Sequence, residues 1–261
     1  MAAAITIGDR ADCKIWITMV HGMSQDHRVF DRQVAAFRDR FNLLLVDLPG
    51  HGLASEVGGP YGHDEFTRYV EAAINENGVK QTHYWGTHTG ATVGLLLAAR
   101  CPEVVMSLIL EGPVIPGNNP PVVKKHMENA RRAIRNEGVD AARAVWWSES
   151  CWFDQMRSDP VRYRANEHRA IVDVFSGKPW LDDTIPAPVD ASLIGNIAQP
   201  TLIYNGAHDH PDFIEASDAI AEIVPQATKI QIVDAGGFPA WEQPDSVNER
   251  VLSFIHSLPK E

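Results

Sequence analysis

Cysteine is scarce in this chain: Cys13, Cys101 and Cys151 are the only three in 261 residues, too few and too scattered for a disulfide framework or a zinc site. Long apolar runs are missing too. Nothing approaches the ~20 consecutive apolar residues that cross a bilayer. The start, Met1-Ala2-Ala3-Ala4-Ile5, lacks a basic region ahead of an apolar one. A soluble, cytoplasmic protein with no membrane partner is expected. Positive charge is in deficit: 23 Lys and Arg against 34 Asp and Glu leave a net charge of −11, which repels nucleic acid and anionic membranes. The locally basic stretch from Lys124 to Arg132 is interspersed with acidic and apolar residues and reads as a solvated helix face. No phosphate-cradling loop or metal-ligand spacing is visible, and the scattered histidines His83, His126, His168 and His256 form no cluster. Neither cofactor nor metal is expected.

What is present is an alternation of short β-like runs with longer helical ones, the pattern of a parallel sheet covered by helices on both faces. Strands are predicted at Lys14–Val20, Asn42–Asp47, Thr82–Trp85, Ser107–Leu110, Thr201–Tyr204 and Lys229–Val233, with an edge hairpin through Ile5-Thr6-Ile7. Helices are predicted at Arg28–Asp39, Asp64–Asn77, Ala91–Arg100, Pro211–Val224 and Ser246–Ser257. Ser24 or Asp26 suits the cap of the first of these. Between Gly117 and Pro188 the strands stop, and Trp, charge and helix formers take over. About 70 residues exceed an ordinary crossover of a dozen or more. The expectation is a core of residues 1–116 and 189–261 with a helical cap, 117–188, inserted after the sixth strand. The cap aromatics Trp146, Trp147, Trp152, Phe153, Phe175 and Trp180 are packing residues, one or two of which line a pocket beneath it.

One pentapeptide stands out. Gly86-Thr87-His88-Thr89-Gly90 follows the strand-like Gln81–Trp85 and precedes the helix-like Ala91–Arg100. This is the strand, tight turn and helix in which G-x-S-x-G raises a serine hydroxyl, except that histidine stands where serine would. Three other segments accompany it in order: Val20-His21-Gly22-Met23, then Asp47-Leu48-Pro49-Gly50-His51-Gly52-Leu53-Ala54-Ser55, and late in the chain Asn205-Gly206-Ala207-His208-Asp209. Over nearly its whole length the chain resembles the α/β-hydrolase superfamily. The resemblance implies the α/β-hydrolase fold: a mostly parallel sheet with helices on both faces and an inserted helical cap. It implies that the backbone N–H groups of Met23 and Thr89 form an oxyanion hole. It makes Asp209 the match to the acid of a Ser-His-Asp triad. In some members that acid follows the strand that Glu111 ends here.

The rest of the triad is absent. Members usually carry a G-H-F-P-like tetrad on the last loop, and this chain has Gly236-Gly237-Phe238-Pro239. Serine and late histidine are both replaced, so ordinary Ser-His-Asp ester hydrolysis cannot operate. His208 and His210 flank Asp209 and are candidates to reach the volume vacated at Gly237; the plainer reading of both is a solvent-facing loop residue. His27 either lines the pocket mouth or starts a helix. Glu111 either orients the His88 ring or is tied to backbone N–H groups of the Gly112-Pro113 turn.

An imidazole at the elbow has three uses. It acts as a general base beside the oxyanion hole, attacks an activated carbonyl itself, or hydrogen-bonds a ligand without chemistry. Pairing with Asp209 or Glu111 would favour its protonated form. The expected function is an enzyme in which His88, with Asp209 or Glu111, acts on a small, largely apolar carbonyl compound such as an ester, thioester or lactone. His21, Trp147, Trp152 and Phe238 are the expected substrate contacts. A non-hydrolytic lyase or isomerase and a silent ligand-binding protein remain the alternatives. The partner in each case is a small molecule.

Overall fold

A computed structural model of the chain describes residues 2–8 and 15–259; Lys14 and Cys13 lie outside these. The described strands form one seven-stranded sheet of order β1-β3-β2-β4-β5-β6-β7. They are β1 (Ala4–Ile7), β2 (Trp16–Val20), β3 (Asn42–Val46), β4 (Thr82–Thr87), β5 (Val105–Glu111), β6 (Thr201–Gly206) and β7 (Ala227–Ile232). All neighbours pair in parallel except β1, which runs antiparallel to β3. The segment through Ile5–Ile7 is therefore an edge strand, but not a hairpin with its neighbour in sequence: it pairs with β3, which stands between it and β2.

Eleven α-helical segments accompany the described strands: α1 (Asp31–Phe37), α2 (His63–Glu76), α3 (Thr89–Arg100), α4 (Pro121–Glu137), α5 (Val139–Glu149), α6 (Asp154–Ser158), α7 (Ala165–Val172), α8 (Lys178–Leu181), α9 (Pro211–Ile223), α10 (Pro239–Glu242) and α11 (Pro244–Ser257). The long helix predicted from Arg28 is a 3-10 turn, His27–Phe30, followed by the shorter α1. Its cap is Asp26, whose carboxylate accepts from the Arg28 N–H at 3.0 Å.

The central strands are apolar on both sides because helices cover both faces. Leu43 through Val46 and Leu108 through Leu110 are all buried. Alternate residues join two cores. Met19, Leu43, Leu45, Trp85 and Ile109 face one, while Val20, Leu44, Val46, Tyr84 and Leu110 face the other. Each such side chain contributes about 1.5–3 kcal/mol when fully buried, so the sheet, not the loops, sets the stability of the platform under the site.

Helices α4 to α8 fill the interval between β5 and β6, with no strand among them. The insertion follows β5, the fifth described strand, rather than a sixth. Its interior is aromatic, with Trp146 against Trp152 and Trp180 and Trp147 against Phe153. No helix among the described residues is long and apolar enough to cross a membrane.

Candidate active site

The sheet's carboxyl edge is where open α/β folds gather ligands, and here β4 delivers His88 to it. His88 takes φ 48° and ψ −109° between β4 and α3, a conformation that costs a non-glycine residue about 1–3 kcal/mol. Close approach holds the turn in place. A Cβ on Gly86 would lie 2.4 Å from the Gly90 carbonyl, and one on Gly90 2.1 Å from the Val20 carbonyl oxygen. The turn is further pinned by the His88 N–H, which donates to the Glu111 carbonyl at 2.7 Å.

Among the described residues, the imidazole is fixed by a single polar contact. Its Nε2 lies 2.7 Å from the Gly237 carbonyl oxygen, which only accepts, so Nε2 carries the proton and Nδ1 keeps its lone pair. The ring stands edge-on to Phe213 and Phe238, with centroids 5.2 and 4.7 Å away. Burial pushes its pKa down to about 4 against the modest pull of the Gly237 carbonyl. The ring is neutral at physiological pH, the reverse of the protonated form expected from an acid pair.

Neither expected acid touches it. Asp209 accepts from Asn205 Nδ2 at 2.9 Å and from the His210 N–H at 2.8 Å. Glu111 accepts from the Ala240 N–H at 2.7 Å and from the Tyr204 hydroxyl. Thus Glu111 is indeed tied to backbone, but to the late loop and not to the Gly112-Pro113 turn. A third buried carboxylate, Glu242, accepts from the N–H groups of Gly236 and of Phe238, the latter at 3.3 Å. Burial raises all three: Glu111 well above the carboxylate range, Asp209 and Glu242 up to about 7. Glu111 and Glu242 anchor the loop 236–240 through the N–H groups of Ala240, Gly236 and Phe238, and that loop presents the Gly237 carbonyl to His88.

The volume expected to stand vacant at Gly237 is filled. A Cβ there would lie 2.5 Å from Trp152 Cβ and 2.7 Å from the Trp152 carbonyl oxygen. His208 is exposed and His210 caps α9, where its Nδ1 accepts from the Asp212 N–H at 3.2 Å. Neither enters the space.

His88 opens onto a cavity of about 720 Å³ between the sheet edge and the insertion. Met23, Thr89, Trp152 and Phe238 are among the residues that line it. The Thr89 N–H, at the first position of α3, is one of the donors a helix leaves unpaired at its start. Two expected contacts fall elsewhere. His21 is fully buried, with Nδ1–H donated to the Gly22 carbonyl at 2.7 Å and Nε2 accepting from the Leu48 N–H at 2.9 Å. Together with His51, whose Nε2 accepts from the Ser24 N–H at 3.0 Å, it ties the loop carrying Met23 to the Leu48–His51 turn. Trp147 packs inside the insertion against Phe153 and His168. His27 pairs with Asp47 through Nδ1 at 2.9 Å and does not line the mouth. Arg131, read from sequence as part of a solvated face, does line the cavity. Its signal was the i, i+4, i+8 spacing with Val123 and Met127, which line the same wall.

A family model of the alpha/beta hydrolase fold matches residues 15–244, and the chain belongs to that family. It is 25% identical over 185 residues to the 2-succinyl-6-hydroxy-2,4-cyclohexadiene-1-carboxylate synthase of Yersinia enterocolitica, a match covering 64% of this chain and 65% of that one. The aligned part is thus a little under two thirds of that relative. To the 3-oxoadipate enol-lactonase 2 of Acinetobacter baylyi it is 22% identical over 231 residues, 87% of this chain and 83% of the other. The crystal structure of the enol-lactonase from Burkholderia xenovorans superposes with a TM-score of 0.81 at 22% identity, covering 98% of this chain and 96% of that one.

Proposed function

We propose that this protein is a hydrolase-family enzyme in which the neutral His88 imidazole, not a serine, does the chemistry on a small carbonyl compound. The observation that carries this is the Nε2–H···O contact to Gly237 at 2.7 Å. It fixes one tautomer and leaves Nδ1 as an acceptor on a ring that lines the cavity. Nδ1 takes a proton from water as that water attacks the carbonyl carbon, and the N–H groups of Met23 and Thr89 receive the oxygen that becomes negative. The imidazolium then returns the proton to the leaving group.

A base whose pKa is about 4 is weak, because efficient general bases lie near the operating pH. The substrates that suit it need little assistance: lactones, thioesters and esters whose leaving group is itself acidic, enol-lactones among them. An enol-lactonase is among the similar proteins, which agrees with this class. The second reading is a ligand-binding protein in which His88 only hydrogen-bonds. It is favoured by one observation, that neither Asp209 nor Glu111 contacts His88.

The test is a panel of activated esters, thioesters and lactones assayed with wild type and His88→Ala side by side. Turnover abolished in a folded His88→Ala supports the enzyme. Turnover that survives the substitution removes His88 from the chemistry, and absence of turnover in both transfers the weight to ligand binding.

A further inference from the structure

The cavity carries a charge that the rest of the molecule would not suggest. The chain as a whole is at −11, yet among the described residues no Asp or Glu lines this cavity, and its one Arg or Lys is Arg131. Its two histidines, His63 and His88, are both held neutral by burial, each down to about 4. Arg131 projects from α4 beside Val123 and Met127, so a single cation stands on an otherwise apolar wall.

That cation is not fully satisfied. Arg131 Nε is buried and has no hydrogen-bond partner among the described residues. The nearby carboxylate that feels it, Asp182, accepts instead from the N–H of Thr184 at 2.9 Å and from the Thr184 hydroxyl. A buried donor left without an acceptor is costly, and guanidinium presents its N–H groups in a planar fork that matches a carboxylate.

We propose that the cavity binds a carboxylate-bearing ligand: a small, largely apolar compound whose carboxylate is taken by Arg131 while the remainder lies along the Val123, Met127 and Trp152 wall. This names the substrate class of the site and rests on the reading of the cavity as the place where His88 acts. The arginine supplies binding and orientation; it takes no part in bond breaking.

Because Trp146 and Trp152 line the cavity, their fluorescence reports occupancy without requiring turnover. The probes are 4-phenylbutyrate and its uncharged amide, 4-phenylbutanamide, titrated into wild type, Arg131→Gln and Arg131→Lys, each checked for an unchanged melting temperature. Wild type is expected to favour the carboxylate by about tenfold or more, the scale of a charge-assisted hydrogen bond. Arg131→Gln brings the two affinities together while retaining the amide's. Arg131→Lys keeps part of the preference, since ammonium has charge but no fork. If Arg131→Gln does not fold, the wild-type ratio and Arg131→Lys carry the test.

Equal affinity in wild type, a preference that survives Arg131→Gln, or no binding of either probe would each overturn the proposal. Failure of the two readings is distinguishable. Carboxylate preference without any turnover sinks only the chemistry assigned to His88, whereas His88-dependent turnover without the preference sinks only the role of Arg131.

Discussion

His88 and Gly237 face each other across 2.7 Å, imidazole N–H to backbone carbonyl, joining the elbow after β4 to the loop after β7. A carbonyl oxygen cannot protonate the ring or share its proton, so it sets the tautomer and raises the ring's basicity only modestly, against the larger lowering by burial. With the pKa lowered to about 4 by burial, the base form predominates at every pH above about 5. The pH profile of kcat/KM on an activated lactone is therefore expected to be flat from pH 5.5 to 8.5, falling only towards pH 4. Nitrogen NMR of the imidazole should find Nε2 protonated and Nδ1 bare across that range. A rising limb centred near pH 7 would mean that another group is the base.

Gly112 makes room for the ring. It holds φ +53°, and a Cβ on it would stand 3.1 Å from His88 Cε1 and 3.2 Å from Nδ1. Gly112→Ala is expected to cost about 1–2 kcal/mol from the left-handed backbone alone and to shield or displace Nδ1. A melting temperature a few degrees lower should accompany at least about a tenfold fall in turnover, with the decrease in kcat larger than any rise in KM. Unaltered kcat in a folded variant would show that Nδ1 is not the working nitrogen.

Rebuilding the usual triad should fail. His88→Ser combined with Gly237→His supplies both missing residues, but the new Cβ would lie 2.5 Å from Trp152 Cβ and 2.7 Å from backbone atoms of Trp152. Overpacking of this sort costs about 1–3 kcal/mol and sometimes more, and the histidine cannot reach position 88 while Trp152 stays. The double variant is expected to melt lower than His88→Ser and to remain unlabelled by fluorophosphonate. Labelling of the double variant would mean that the insertion yields at Trp152.

Much of this was legible in the chain. The alternating β and helical runs identified the sheet because buried parallel strands read as continuous apolar stretches such as Leu43–Val46. The elbow was visible because Gly86 and Gly90 leave no room for side chains. The partners of His88 were not. Motif spacing placed Asp209 and Glu111 near the sheet edge, but it could not show that Asn205 and the Ala240 N–H had claimed them. Backbone acceptors such as the Gly237 carbonyl leave no mark in a sequence, since every residue has one. Nor does a long-range packing pair such as Gly237 with Trp152, whose members lie in different segments. The antiparallel reach of β1 to β3 rather than to β2 is likewise a property of register, invisible in a four-residue strand.

Glu242 is the group that should make stability respond to pH in a way a single substitution can remove. Its carboxyl is buried and raised to about 7 by that burial, against the pull of the Gly236 and Phe238 N–H groups. In the unfolded chain it titrates near its ordinary value of 4.5. Below that value both states hold the proton and no dependence arises. Between 4.5 and about 7 the unfolded state has released the proton while the folded state keeps it, so stability falls as pH rises through this window and levels off above it. Each pH unit separating the folded and unfolded titrations corresponds to about 1.4 kcal/mol, giving an effect of at most about 3.5 kcal/mol. Glu242→Gln, which cannot ionise, removes this contribution. The difference in unfolding free energy between wild type and Glu242→Gln, from urea titrations at pH 4.5, 6 and 8, should move steadily against wild type from each pH to the next. At pH 4.5 wild type holds its largest advantage, because the carboxyl oxygen still anchors the loop that carries Gly237. A difference that does not change with pH would mean that Glu242 ionises alike in the folded and unfolded chains, and that an ionised carboxylate holds the loop behind His88 at neutral pH.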